Sequence, residues 1–171
     1  LDTLGPLEWQ PWDAAPWKLS AVDGGTVASN DYRGRPVVVI AYLGFGCVHC
    51  VEQLETFGPL VEKYRAAGIE VVAIGTDTLA AMKESLATGK SGAKLPMPLL
   101  ADPEFAAFRA LGAFDDFESK PLHGTFLIDR SGRVRWQDVG PEPFTDAEFL
   151  LRESKRLLAF DSADHPTTSS R

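Results

Sequence analysis

The segment Gly44-Phe45-Gly46-Cys47-Val48-His49-Cys50 constrains this chain more than any other, because it holds both cysteines of the protein where an apolar strand gives way to an amphipathic helix. Upstream, Val37-Val38-Val39-Ile40-Ala41-Tyr42 is a β-branched run with no polar face, which suits a central strand buried on both sides. Downstream, Val48, Val51, Leu54, Phe57, Leu60, Val61 and Tyr64 recur at helical spacing, with Glu52, Gln53, Glu55, Glu62 and Lys63 on the other faces. Pro59 cannot donate a backbone N–H, so the helix is expected to kink or break near Gly58. Gly68 ends the helix, and Ile69 to Gly75 reads as a second strand. The unit is therefore a right-handed strand–helix–strand crossover whose first turn is the cysteine pair. That turn falls at the carboxyl edge of the sheet, where open α/β folds bind their ligands.

A thiol at the start of a helix feels the positive end of the helix dipole and unsatisfied backbone N–H groups, both of which favour thiolate over thiol. Structural stapling is a poor use of this pair, since cysteines so close in sequence close a loop too short to restrict the unfolded chain. Zinc is also poorly served, because only His49, His123 and His165 could join Cys47 and Cys50 and there is no second cysteine pair. Covalent haem attachment requires His directly after the second Cys, where Val51 stands. What remains is a dithiol/disulfide couple. Two phosphate-binding imitations fail for steric and topological reasons. In Gly44-x-Gly46-x-x-His49 a histidine occupies the position whose glycine allows close helix–strand packing, and Gly89-Lys90-Ser91 follows a helix, with Glu84 where the loop's first glycine belongs.

With 171 residues the chain has room for one well-buried core. Its net charge of −7 excludes a general nucleic-acid or anionic-membrane binder, and no apolar run approaches the ~20 residues of a membrane helix. Residues 1–14, with Trp9 and Trp12 among three prolines nearby, read as an irregular arm whose tryptophans cover the core. Residues 15–160 read as one domain and 161–171 as a flexible polar tail. Within the domain, Trp17–Ser20 and Thr26–Ser29 form a hairpin around Asp23-Gly24-Gly25. Asp77 or Thr78 caps a helix through about Thr88, residues 89–94 form a mobile loop, and Asp102-Pro103 starts a short helix buried through Phe105, Phe108 and Leu111. Thr125–Ile128 and Arg133–Val139 form an antiparallel hairpin. Thr145-Asp146-Ala147-Glu148 is a capping box for a last helix that carries Phe149, Leu150, Ser154, Leu157 and Leu158. The chain begins at Leu1 without a basic-plus-apolar leader, as expected of a processed protein or an excised domain.

The span from about Ala15 to Phe160 resembles the redoxin (AhpC/TSA, peroxiredoxin-like) branch of the thioredoxin superfamily. The resemblance is carried by Ala15-Pro16-Trp17-Lys18-Leu19, Asp31 to Val39, the Cys47/Cys50 pair, Leu99-Leu100-Ala101-Asp102-Pro103 and Gly124-Thr125-Phe126-Leu127-Ile128-Asp129. It implies an α/β, thioredoxin-like fold, a central mixed sheet with helices on both faces, and no cofactor. It further implies a thiol-disulfide oxidoreductase in which Cys47 is the exposed attacker and Cys50 the buried resolver. The partners would be a protein disulfide or dithiol, with a hydroperoxide as the alternative substrate. The periplasmic and membrane-tethered members of this branch set the expectation of a bacterial extracytoplasmic compartment.

Two departures shape the site. Aligning Cys47 with the cysteine of the peroxiredoxin signature Pro-x-x-x-Thr-x-x-Cys puts Ile40 at the Pro and Gly44 at the Thr, while His123 stands at the position of that family's Arg. The donors that would stabilise peroxide attack are thus absent. His123 also occupies the position of the exchange enzymes' cis-proline, and Pro121 lies two residues early. Gly46, His49 and His123 are expected to tune the site. His49 precedes Cys50 as in the strongly oxidising Cys-Pro-His-Cys enzymes, which implies an imidazole near the Cys47 sulfur and a more oxidising disulfide. A likeness to copper chaperones of the same fold would instead engage Cys47, Cys50 and His123, although those proteins usually space their pair one residue further apart.

Overall fold

The computed structural model describes residues 10–89 and 95–163. Its elements are β1 (Trp12–Asp13), β2 (Lys18–Ala21), β3 (Thr26–Ala28), β4 (Val37–Tyr42), α1 (Val48–Phe57), α2 (Val61–Ala66), β5 (Glu70–Gly75), α3 (Leu79–Ala87) and β6 (Leu99–Ala101), followed by α4 (Ala106–Ala110), β7 (Phe114–Asp115), β8 (Lys120–Pro121), β9 (His123–Ile128), β10 (Arg133–Gly140) and α5 (Ala147–Ala163). One eight-stranded sheet runs β1-β10-β9-β4-β5-β6-β2-β3, with β7 and β8 paired apart from it. β4, β5 and β6 are parallel neighbours, and β9 returns antiparallel to β4. The sheet is mixed, with helices on both faces, as the sequence implied.

β4 is central because every one of its residues is buried, and the pleat divides them between two cores. Val38, Ile40 and Tyr42 face a cluster with Cys50, Leu54 and Phe57 of α1, Val61 and Tyr64 of α2, and Leu150 and Leu151 of α5. Val37, Val39 and Ala41 face Phe108 of α4, Trp17, Leu19 and Phe126. Each fully buried Val, Ile, Leu or Phe side chain contributes about 1.5–3 kcal/mol, so the central strand is anchored from both sides. The helix breaks where Pro59 predicted, into a 3₁₀ turn at Gly58–Leu60 between α1 and α2.

Several local expectations are corrected. Trp12 and Asp13 are not irregular but form an edge strand on β10, with Trp12 Nε1 donating to Gln137 Oε1 at 3.1 Å. Trp17 is buried as core cover, while Trp9 lies outside the described residues. The short helix starts at Ala106 and not at Pro103, because Phe105 adopts a left-handed conformation (φ 59°). The Asp102 carboxylate nonetheless caps it from a distance, accepting the N–H groups of Ala106, Ala107 and Phe108 at 2.8–3.1 Å. In α5 the capping side chain is Asp146, which accepts from Phe149 N–H at 2.9 Å, in place of Thr145. Phe149 itself is exposed. The helix continues to Ala163, beyond Phe160, and residues 164–171 and most of the loop expected at 89–94 lie outside the described residues. No helix among the described residues is long and apolar enough to cross a membrane.

Candidate active site

β4 ends at Tyr42, and the chain must then turn sharply to start α1. Gly44 makes the turn with φ +100°, and a Cβ there would sit 2.7 Å from Asp77 Oδ1. The same carboxylate accepts the Phe45 N–H at 2.7 Å. Thr78 takes the capping role for α3 by accepting from Ala81 N–H at 3.2 Å, which leaves its neighbour Asp77 free to hold the cysteine loop. The sequence offered either residue as the cap, and only the structure separates their tasks. Gly46 is open, a Cβ there meeting nothing within 4 Å, so of the two glycines in this turn it is Gly44 that must be glycine.

Cys47 is the N-cap of α1, and its half-buried Sγ accepts the backbone N–H of Cys50 at 3.3 Å. Cys50 is fully buried one turn inside, and its Sγ accepts the Leu43 N–H at 3.3 Å. Both are free thiols. Burial, reinforced by the neighbouring Cys47 sulfur and only partly offset by the Leu43 N–H, pushes the Cys50 thiol up to about 12. The two sulfurs are therefore unlike in exposure and environment.

His123 opens β9 as a buried strand residue and not a loop residue. Its Nε2 lies 3.2 Å from Cys50 Sγ and 3.9 Å from Cys47 Sγ, and the three atoms fall within 4.8 Å of one another. Burial holds the imidazole below its ordinary range, against the opposing pull of the Pro141 and Gly140 carbonyls and Glu142. Its Nδ1 is buried and has no hydrogen-bond partner among the described residues. In the neutral tautomer that carries its proton on Nδ1, the ring presents an unprotonated Nε2 to the sulfurs.

His49 is placed differently from expectation. Its side chain is 70% exposed, with Nδ1 3.2 Å from Glu52 Oε2, so it faces solvent along α1 rather than the Cys47 sulfur. Val48, counted with the apolar stripe, is 68% exposed beside it. Gln53, counted with the polar faces, is fully buried and ties α1 to its surroundings, donating to Thr125 Oγ1 at 3.1 Å and to the Phe144 carbonyl at 2.8 Å. Ile40, at the position of the peroxiredoxin proline, is a buried strand residue.

A mixed sheet with a two-cysteine turn at the carboxyl end of its central strand defines a thioredoxin-like redox protein. The AhpC/TSA family model matches residues 12–137, and the chain belongs to that family. It is 34% identical over 131 residues to a Mycobacterium tuberculosis (strain ATCC 25618 / H37Rv) protein named as a candidate peroxiredoxin, covering 72% of this chain and 81% of that protein. It is also 34% identical over 125 residues to the chloroplastic peroxiredoxin Q of Oryza sativa subsp. japonica, covering 72% of this chain and 56% of that protein. The fold is shared with the crystal structure of Enterococcus faecalis AhpC at a TM-score of 0.77 and 19% identity, covering 94% of this chain and 98% of that one. It is shared too with Xanthomonas campestris peroxiredoxin Q at a TM-score of 0.68 and 22% identity, covering 82% and 90%. The chain is thus an oxidoreductase of the AhpC/TSA family with peroxiredoxin relatives.

Proposed function

We propose that this chain is a thiol-disulfide oxidoreductase that works by exchange at Cys47 and Cys50. The observation that carries the proposal is the asymmetry of two adjacent sulfurs: one half-buried at a helix N-terminus and accepting a backbone N–H, the other fully buried within reach of it. In the first step Cys47 thiolate attacks a substrate disulfide, its S–S bond breaks, and one substrate thiolate leaves. Cys50 then attacks the Cys47 sulfur of the mixed disulfide and expels the second substrate thiol. The substrate is reduced by two electrons, the pair is oxidised to a disulfide, and a dithiol partner returns it to the reduced state. The test is insulin reduction with dithiothreitol as donor. Cys47→Ser is expected to abolish turnover, whereas Cys50→Ser accumulates mixed disulfides, seen as adducts by mass spectrometry. Normal turnover by Cys47→Ser would overturn the assignment.

A hydroperoxide is the second candidate electrophile, favoured by the relatives that are named peroxiredoxins. Cys47 would then attack the O–O bond, release water or an alcohol and become a sulfenic acid, which Cys50 converts to the same disulfide with loss of water. Peroxide consumption faster than insulin reduction, in the same donor system, would select this substrate.

A further inference from the structure

We propose that His123 is the catalytic base of the resolving step, taking the proton from Cys50 as that sulfur attacks the mixed disulfide on Cys47. The proposal rests on the exchange chemistry above and assigns a role that neither cysteine can fill. Cys50 sits in the apolar cluster with Ile40, Leu54 and Phe57, where a thiolate loses its hydration. Burial holds the thiol far above its ordinary range, so at pH 7 the Cys50 thiolate is scarce. An acceptor must therefore lie within reach of the proton, and His123 Nε2 does, at 3.2 Å from Cys50 Sγ.

Of the other ionisable groups around the pair, the Tyr42 hydroxyl is buried and held protonated by desolvation, so it takes no proton from the thiol, and the rest are engaged elsewhere. From the loop after β5, Asp77 is bound to the Phe45 N–H. From α1, His49 is turned to Glu52 and solvent. From the loop after β10, Glu142 acts on His123 itself, raising its basicity together with the Gly140 and Pro141 carbonyls. His123 is held neutral chiefly by burial, so at pH 7 its ring carries no extra proton and Nε2 is open to one. Once the proton has moved, the Leu43 N–H at 3.3 Å remains on the Cys50 sulfur to stabilise its charge.

The step balances as follows. The Cys50 S–H bond breaks and its proton goes to Nε2. The Cys50 sulfur forms a bond to Cys47 sulfur while the Cys47–substrate S–S bond breaks with its electron pair on the substrate sulfur. The imidazolium proton then passes to that leaving thiolate or to water.

The two steps can be separated with DTNB, whose coloured thiolate is released once when Cys47 attacks and again when Cys50 resolves. Reduced wild-type protein is expected to release both in quick succession. His123→Gln, which keeps a polar side chain but cannot take the proton, should keep the first phase and slow the second about 100-fold or more at pH 7. In that variant the second rate should rise with each pH unit toward the range of the Cys50 thiol, whereas in wild type it levels off above the His123 titration. His123→Asn serves as a second variant, and retention of the first phase reports that the site is still assembled. A second phase unchanged in rate and pH profile in both variants would overturn the role of His123 while leaving exchange intact. A wild-type protein that releases no first thiolate would overturn exchange itself, and the role of His123 with it.

Discussion

Gly44→Ala tests how the cysteine loop is held. The new Cβ would have to exist at φ +100° and within 2.7–2.9 Å of the Asp77 carboxylate. The dihedral alone costs about 1–3 kcal/mol. The carboxylate must withdraw, and its hydrogen bond to the Phe45 N–H, a charge-assisted one, is worth about 1.5–3 kcal/mol. Together the loss is about 2.5–6 kcal/mol, equivalent in a chain of this size to a fall in Tm of about 5–24 °C. Urea unfolding followed by circular dichroism measures it, with the DTNB first phase as a local readout of Cys47. The loss should be non-additive with Asp77→Ala: in that background the carboxylate is already gone, and Gly44→Ala should cost only the dihedral strain. A single-mutant cost below about 1 kcal/mol, or full additivity, would refute the claim that Asp77 and Gly44 act as one clamp.

Three further outcomes are expected. His123 is held below its ordinary ~6.5, so below that pH the unfolded chain binds a proton that the native state resists, and stability falls as the pH drops through the window beneath 6.5. His123→Gln should flatten urea midpoints between pH 7 and 5, and an unchanged slope would show that another group titrates there. His49→Ala should leave the redox potential, measured against glutathione, within about 30 mV of wild type, because an exposed His–Glu pair contributes little; a larger shift would restore His49 as a determinant of poise. Reduced protein offered Cu(I) and then washed with a competing chelator should retain no more copper than His123→Ala, and stoichiometric retention lost in that variant would favour the copper-handling alternative.

The central strand, the cysteine turn and the break before α2 were legible because each has a local cause: a β-branched run, a strand-to-helix junction and a proline. Gln53 and Val48 were assigned to the wrong sides because helical periodicity sorts residues by type, and this helix buries an amide where Thr125 and Phe144 receive it while leaving a valine in solvent. Asp77 and Thr78 were indistinguishable as caps because both residue types favour that position; only the tertiary approach of the cysteine loop tells them apart. The start of α4 was displaced because Phe105 takes a conformation that a phenylalanine rarely adopts, which no sequence pattern announces. His123 was singled out by position alone, and its contact with Cys50 depends on a register that local patterning does not contain.

That register explains why the residue at position 123 meets the cysteines at all. β9 runs antiparallel to β4 with Ala41 opposite Gly124, so β9 enters the sheet at the edge where β4 leaves it for the cysteine turn. Alternation then puts His123, Thr125 and Leu127 on the face toward α1, and Gly124, Phe126 and Ile128 on the other. The contacts agree: Thr125 Oγ1 receives Gln53, Leu127 lies in the cluster containing Cys50, and Phe126 and Ile128 lie in the opposite one. A one-residue slip would turn His123 away and aim Gly124 at the sulfur, but it would also drive Thr125 and Leu127 out of the α1-facing core and bring Phe126 into it. Burial on both faces therefore fixes the side chain at 123 against Cys50, whatever that side chain is. A proline there, as in the exchange enzymes that this chain resembles, has no proton acceptor to offer on its ring. An arginine, as on the peroxiredoxin side of the resemblance, offers a charge that cannot take up a further proton. Histidine is the choice among the three that can accept a proton from a buried thiol and return it within the physiological range.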